Sequence, residues 1–252
     1  MYIDLHNHLL PDVDDGVKNM EETMRSLELA VREKIEDLCF TPHIYEGKYN
    51  NHPDKLKKVF EEVKKNTKEI KINLHLASEV HYSSSLSEDF KKGLYIPYGK
   101  KGRYILVELP VTLLPKGVED GLYKLMLEGV EPIIAHPERY NYVQKNIKSI
   151  INLIKAQIPL QVTTQAIVGA LGGSARKTAI KLLDMGLISF VASDAHHPEK
   201  RPFHFREAVR ILNNRYGHST TRILTIENPR RILEGKNLLP VRGKKGRLSP
   251  YL

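Results

Sequence analysis

The sequence predicts a single α/β domain built on parallel strands, most simply a seven-unit (β/α)7 barrel. Strand-like and helix-like stretches alternate seven times along 252 residues. The crossovers are long enough for helices, as parallel strands require. A His or a carboxylate stands just past six of the seven strands, as expected if the strand ends share one face. Seven units in this length favour a barrel over an open sheet.

The first strand carries Tyr2, Ile3 and Leu5 and runs into His6, His8 and the turn Asp14-Asp15-Gly16. A helix follows from Asn19 to Glu33, with Asn19 as cap and Met20, Met24, Leu27, Ala30 and Val31 on one face. The second strand, Asp37 to Phe40, leads into Thr41-Pro42-His43, and a charged amphipathic helix spans Pro53 to Lys68. The third strand, Ile72 to Ser78, ends at Glu79. A connector with a short helix follows, from Ser83 to Lys101. The fourth strand, Tyr104 to Val107, ends at Glu108 and is followed by a helix from Glu119 to Leu127. The fifth, Pro132 to Ala135, ends at His136-Pro137, with a helix from Asn146 to Ala156. The sixth, Leu160 to Thr163, opens into the loop Gly169 to Ser174 and a helix from Ala175 to Met185. The seventh, Ile188 to Ala192, ends at Ser193-Asp194-Ala195-His196. Helices at Phe205 to Tyr216 and Pro229 to Leu233 close a domain of residues 1–240, and residues 241–252 read as a basic flexible tail.

Composition narrows the function. No apolar run approaches the ~20 residues of a membrane span, and the N-terminus lacks the pattern of a signal peptide, so a cytoplasmic protein is expected. The one cysteine, Cys39, lies in the apolar run Leu38-Cys39-Phe40 and reads as core. A cysteine phosphatase would place an Arg six residues on, but Tyr45 stands there and no glycine intervenes. The net charge is +9. Part of it comes from Arg242, Lys244, Lys245 and Arg247, and much of the rest is interleaved with acids along Lys55 to Lys71. So dispersed a charge does not favour a specific nucleic-acid site.

The strand ends carry the chemistry. They offer His6, His8, Asp15, His43, Glu79, Glu108, His136, Asp194 and His196. Each alone has an ordinary explanation as a loop histidine, a rim carboxylate or a helix cap. Together they are hard to explain as accidents of separate loops. Nine nitrogen or oxygen donors exceed what one Zn²⁺ takes and suit two or three divalent ions, with Mn²⁺ first and Fe or Zn²⁺ as alternatives. Closely spaced ions of this kind clamp phosphoryl oxygens and activate water. His52, His75, His81, His197, His204 and His218 follow no such rule and read as structural or surface residues.

These residues carry a resemblance. His6-Asn7-His8, Asp14-Asp15-Gly16, Thr41-Pro42-His43, Glu79, Glu108, His136-Pro137-Glu138-Arg139-Tyr140 and Ser193-Asp194-Ala195-His196 resemble the polymerase-and-histidinol-phosphatase (PHP) superfamily. Within it they are most similar to the bacterial tyrosine phosphatases encoded with capsule and exopolysaccharide genes, from Met1 to about Leu239. The resemblance implies a distorted (β/α)7 barrel of the PHP type with three metal ions. It assigns His6, His8, Glu79 and Asp194 to one ion and Glu79, Glu108 and His136 to a second. Asp15, His43 and His196 go to the third. Arg139 and Arg201 would bind phosphate, and the substrate would be a phosphotyrosine protein, typically the tail of a bacterial tyrosine kinase. Alternatives remain at this point: a small-molecule phosphatase such as one for histidinol phosphate, or a non-catalytic nucleic-acid-binding module. An amidohydrolase also opens with His-x-His, but Glu108 stands where those enzymes commonly carry a lysine. Homo-oligomerisation and metal identity stay open.

Overall fold

The computed structural model describes residues 1–244. Its strands are β1 (Tyr2–Asp4), β2 (Ile35–Phe40), β3 (His43–Ile44), β4 (Asn73–Leu76), β5 (Glu79–His81), β6 (Tyr104–Glu108), β7 (Glu131–Ile134), β8 (Gln161–Thr163) and β9 (Phe190–Ala192). Its helices are α1 (Met20–Arg32), α2 (Pro53–Asn66), α3 (Leu86–Lys91), α4 (Val118–Leu127), α5 (Asn141–Lys145), α6 (Ile151–Lys155), α7 (Thr164–Val168), α8 (Gly173–Asp184), α9 (Phe205–Arg222) and α10 (Asn228–Glu234). The fold is mixed α/β, and the strand ladders are parallel throughout.

The ladders are three, β1–β2–β4, β3–β5–β6–β7 and β8–β9, rather than the single continuous sheet expected. The expected second and third strands are β2 and β4, and each is followed, after a two-residue break, by a short further strand that was not expected, β3 or β5. Thr41-Pro42 makes the first break, and Pro42 has no N–H to give to a ladder. Ala77-Ser78 makes the second. Hydrogen bonds still cross these breaks: Ala77 N–H donates to Phe40 O at 2.9 Å and Glu79 N–H to Pro42 O at 3.2 Å. Single parallel bridges join Ile134 to Leu160 and Asn7 to Ala195. The breaks matter for the site because they set β3 and β5 in their own register, with His43 opposite Glu79. The next ladder puts His81 opposite Glu108.

The strands are buried on both faces, which is why they read as near-continuous apolar runs. Ile3, Cys39, Leu106, Ile133, Phe190 and Ala192 point to one shared cluster. Ile105, Val107, Ile134, Val162 and Val191 point the other way, into a second cluster shared with the helices. Such alternation is the period of two that a strand imposes. Tyr98 lies wholly buried in the first cluster, and its hydroxyl donates to Leu5 O at 2.7 Å.

Several expectations are corrected. Asn19 does cap α1, accepting from Glu22 N–H at 2.9 Å. The buried stripe of α1, however, is Thr23, Ser26, Leu27 and Ala30, while Met24 and Val31 are 36% and 40% exposed. Polar Thr23 can take an inward place because its hydroxyl donates to Leu9 O at 3.0 Å. α9 runs past Tyr216, with a break at Gly217, whose φ of 79° no helix uses. α5 and α7 were not anticipated. Among the described residues, no helix is long and apolar enough to cross a membrane.

Residue 240 is not where packing stops. Val241 is 5% exposed in the cluster beneath α8, and a Cβ on Gly243 would lie 2.2 Å from Asp184 O. Lys245 and Arg247 lie outside the described residues. Val241→Ala removes two buried methyl-sized groups, at about 0.8 kcal/mol each. It should lower Tm by roughly 3–6 °C, measured by thermal melting. An unchanged Tm would show that Val241 is not part of the core.

Candidate metal centre

All nine sequence-predicted donors come together, His43, Glu79 and Glu108 from within β3, β5 and β6 and the other six from the loops. Ligand atoms of His6, His8 and Asp194 lie within 4.8 Å of one another, as do those of His6, Glu79 and His136. The same holds for His43, Glu79 and Glu108, and for His8, Asp15, His43 and His196. The four groups overlap, so the donors form one continuous cluster. Glu79 is its centre: its Oε2 lies 3.2 Å from His6 Nε2, 3.1 Å from His8 Nε2 and 3.2 Å from His43 Nδ1. Its Oε1 lies 3.0 Å from His136 Nε2. Asp15 is the exposed member, 3.5 Å from His43 Nε2 and 3.7 Å from His196 Nε2.

The cluster has the donor chemistry of a cation site. Imidazole nitrogens of His6 and His8 face each other at 3.3 Å. Glu79 Oε2, Asp194 Oδ1 and His43 Nδ1 are buried with no hydrogen-bond partner among the described residues. Buried polar atoms are nearly always paired, so several such atoms aimed at one place are the donor set a cation would take. The tautomers agree. His6 Nδ1 donates to Gln161 Oε1 at 3.0 Å, His8 Nδ1 to Asp14 Oδ2 at 2.7 Å and His196 Nδ1 to Asp194 O at 2.9 Å. Each such bond leaves an Nε2 lone pair pointing into the cluster.

Charge is held there against the cost of burial. Burial alone would push Glu79 and Asp194 up, but their neighbours hold both well below the usual carboxylate range. For Glu79 these are His6 and His43; for Asp194 they are Arg201, His6 and Arg139. Burial lowers His43, and burial with His8 beside it lowers His196 well below the usual imidazole value. Against burial, Glu79 and Asp194 raise His6, and Asp14 raises His8 well above its usual value. Neutral imidazole is the form that ligates metal, so an ion binding here would displace those protons. Two of the nine, His136 (φ 30°) and Asp194 (φ 55°), sit in left-handed backbone that non-glycine residues seldom adopt. Such conformations cluster at functional sites.

Both arginines reach the cluster. Arg139 Nη1 donates to Asp194 Oδ2 at 2.7 Å and Arg201 Nη2 to the same oxygen at 2.5 Å. Neither arginine pairs with the acid nearest it in sequence, Glu138 for Arg139 or Glu199 for Arg201, among the described residues. Glu138 accepts from Thr163 N–H and hydroxyl, and Glu199 pairs with Arg25. Gln165 helps to aim Arg201, accepting from its Nε at 3.4 Å. Cys39 is buried on the strand, and burial with Asp4 nearby pushes its thiol well above its usual value, the opposite of an activated nucleophile.

Sequence reasoning missed three supporting residues. Asp14 was seen only as part of the turn, yet it accepts from His8 Nδ1, His43 N–H and Gly16 N–H, so one carboxylate fixes two donors. A Cβ at Gly16 would lie 1.7 Å from His8 O, so only glycine lets this turn close. Gln161 was passed over, although a polar residue between Leu160 and Val162 was the available signal. His81 is not a plain surface residue: its Nδ1 lies 3.3 Å from Glu108 Oε2. His75 pairs with Asp37 away from the cluster, and His52 caps α2.

The family model for capsular polysaccharide synthesis, CpsB/CapC, matches residues 2–234. The chain belongs to the CpsB/CapC family. CapC of Staphylococcus aureus is 34% identical over 215 residues, covering 84% of this chain and 83% of that protein. Tyrosine-protein phosphatase YwqE of Bacillus subtilis is 30% identical over 250 residues, covering 96% and 98%. A chain from the crystal structures of YwqE from Bacillus subtilis and CpsB from Streptococcus pneumoniae, described as metal-dependent tyrosine phosphatases, superposes with a TM-score of 0.89. It is 29% identical and covers 96% of this chain and 100% of that one.

Within this CpsB/CapC chain, Asp14 should matter without touching an ion. Asp14→Asn keeps the shape but removes the charge that orients His8. Loss of such an outer partner typically costs about 10–100-fold in metal affinity. Metal titration of the variant should show that loss with the fold intact by circular dichroism. Wild-type affinity would remove Asp14 from the site.

Proposed function

We propose that the chain is a metal-dependent phosphomonoester hydrolase acting on phosphotyrosine in proteins. Its substrate is most simply the tail of a bacterial tyrosine kinase that controls capsule or exopolysaccharide synthesis, and its place the cytoplasm. The observation that carries the reading is one buried cluster of nine nitrogen and oxygen donors with two guanidiniums at its edge. Family membership and the relatives' activity support it. The three ladders read best as a distorted seven-stranded barrel, supported by the bridges between them and by the shared inner cluster.

In this reading His6, His8, Glu79 and Asp194 hold one ion. Glu79, Glu108 and His136 hold a second, and Asp15, His43 and His196 a third. Bound divalent ions, Mn²⁺ first and Fe or Zn²⁺ as alternatives, would supply charge to phosphoryl oxygens and an activated water. The chain's own residues do the rest. Arg139 and Arg201 already converge on one oxygen of Asp194, and a phosphoryl group entering between them offers each guanidinium two oxygens in a fork geometry. Asp194 keeps its other oxygen turned to His6 and His8 throughout. Tyrosine leaves with an ordinary pKa of about 10, so the aryl oxygen needs less help in departing than an alkyl one.

A strong chelator should abolish hydrolysis of p-nitrophenyl phosphate, and Mn²⁺ should restore it. Full turnover by metal-free protein would sink the reading. Arg139→Ala and Arg201→Ala should retain metal and fold while kcat/KM falls ~10²–10³, the usual effect of losing a preorganised electrostatic contact. Lysine at either position should rescue only partly. His136→Ala should lose metal as well as rate. Near-wild-type turnover in both arginine variants would mean the phosphate pocket lies elsewhere. Cys39→Ser should keep most activity; loss of turnover with fold and metal intact would point to a phosphocysteine route.

A further inference from the structure

A second cavity adjoins the cluster and is not explained by phosphate binding or metal. It measures about 490 Å³ and lies between the loop after β3 and the segment from β5 to α3 and beyond. Its walls include Tyr45, His81, Tyr82, Leu94 and Tyr95. None of the nine donors and neither arginine lines it. Two ring stacks form the partition. Tyr45 lies on His81 with centroids 3.9 Å apart, and Tyr49 lies on His43 at 5.4 Å. His43 is a donor, and His81 contacts the donor Glu108 at 3.3 Å. The cavity is therefore one ring's thickness from the chemistry.

We infer that this cavity is a specificity pocket for an aromatic side chain that flanks the phosphotyrosine in the substrate protein. The inference rests on the phosphotyrosine reading above. The phosphotyrosine ring itself is not assigned to the cavity, because its phosphate has to reach the arginines and donors, and none of these lines it. A neighbouring residue of the same peptide is within reach, since an extended chain advances only about 3.3 Å per residue. The walls choose its chemistry. Tyrosine and histidine rings favour another ring by offset or edge contacts, beyond the gain from burial alone. Charge does not choose the occupant, because the acids and cations around the cavity offset each other. Glu46 and Asp89 line it, but Lys92 pairs with Asp89 at 3.3 Å, and Lys48 lies over the Tyr45 and Tyr49 rings at 5.9 and 4.7 Å. Selection therefore rests on ring contacts and apolar burial.

The test uses Mn²⁺-loaded wild-type protein and phosphotyrosine peptides. One position at a time, from three residues before the phosphotyrosine to three after, carries Gly, Phe or Asp. At one position Phe should raise kcat/KM about tenfold over Gly, as partial burial of an aromatic side chain allows. Asp there should bring no such gain, since it offers neither a ring nor apolar area. Tyr95→Ala and, separately, Leu94→Ala should collapse the Phe-to-Gly ratio towards one, with p-nitrophenyl phosphate turnover recorded beside it as the reference for fold and metal site. If wild type shows no preference for Phe at any position, or if the ratio survives in both variants, the pocket is not a specificity site. Absence of turnover on p-nitrophenyl phosphate and on every peptide would overturn the phosphatase reading itself, and the pocket assignment with it.

Discussion

The structure depends on one costly arrangement: five imidazoles and four carboxylates pressed together, most of them out of water. Oxygens and nitrogens with lone pairs converge on common points, and Glu79 Oε2 has three imidazole nitrogens within 3.2 Å of it. Such a cluster repels itself unless positive charge is supplied from within. Much of the surrounding chain serves to hold it. Parallel strands bring their ends to one face, Asp14 and Gln161 fix the imidazoles, and two arginines partly neutralise one side.

The carboxylates are not interchangeable, because their two oxygens have separate tasks. Asp194 turns Oδ2 to both arginines and Oδ1 to His6 and His8. Glu79 gives one oxygen to His136 and the other to His6, His8 and His43. Asp14 holds Gly16 with one and His8 and His43 with the other. Each is a bridge between two parts of the site, so lengthening or shortening the side chain by one methylene would misplace both ends.

Much of this was legible in the sequence because strand ends are marked locally. His6, His43, Glu79, Glu108, His136 and Asp194 each follow an apolar run, and the run tells where the chain turns to the common face. What was not legible depends on partners far away in the chain. The short strand at His43-Ile44, beyond Thr41-Pro42, was not expected because it pairs with Glu79-Val80 far along the chain, and no local signal fixes that register. Met24 and Val31 look as apolar as any core residue, but packing around Leu9 turns α1 to bury Thr23 instead. Gln161 and Asp14 show their roles only when His6 and His8 arrive beside them. His81 is ordinary in sequence and acquires meaning only from Glu108 on the next strand. Val241 lies beyond the last predicted helix, where a basic run hides a single apolar anchor.

The first and last strands meet through Asp4, whose carboxylate accepts from Ser193 N–H at 2.8 Å and from its hydroxyl at 2.7 Å, across 189 positions. This closure has a consequence for biosynthesis. His6 and His8 emerge from the ribosome early, but Asp194, His196 and Arg201 that complete their surroundings come near the end. Domains fold as units while synthesis proceeds at only about 5–20 residues per second. The nascent chain therefore spends most of its synthesis with a bare pair of histidines and no pocket around them. Capture of ions by the proposed centre therefore requires the last strand docked beside the first.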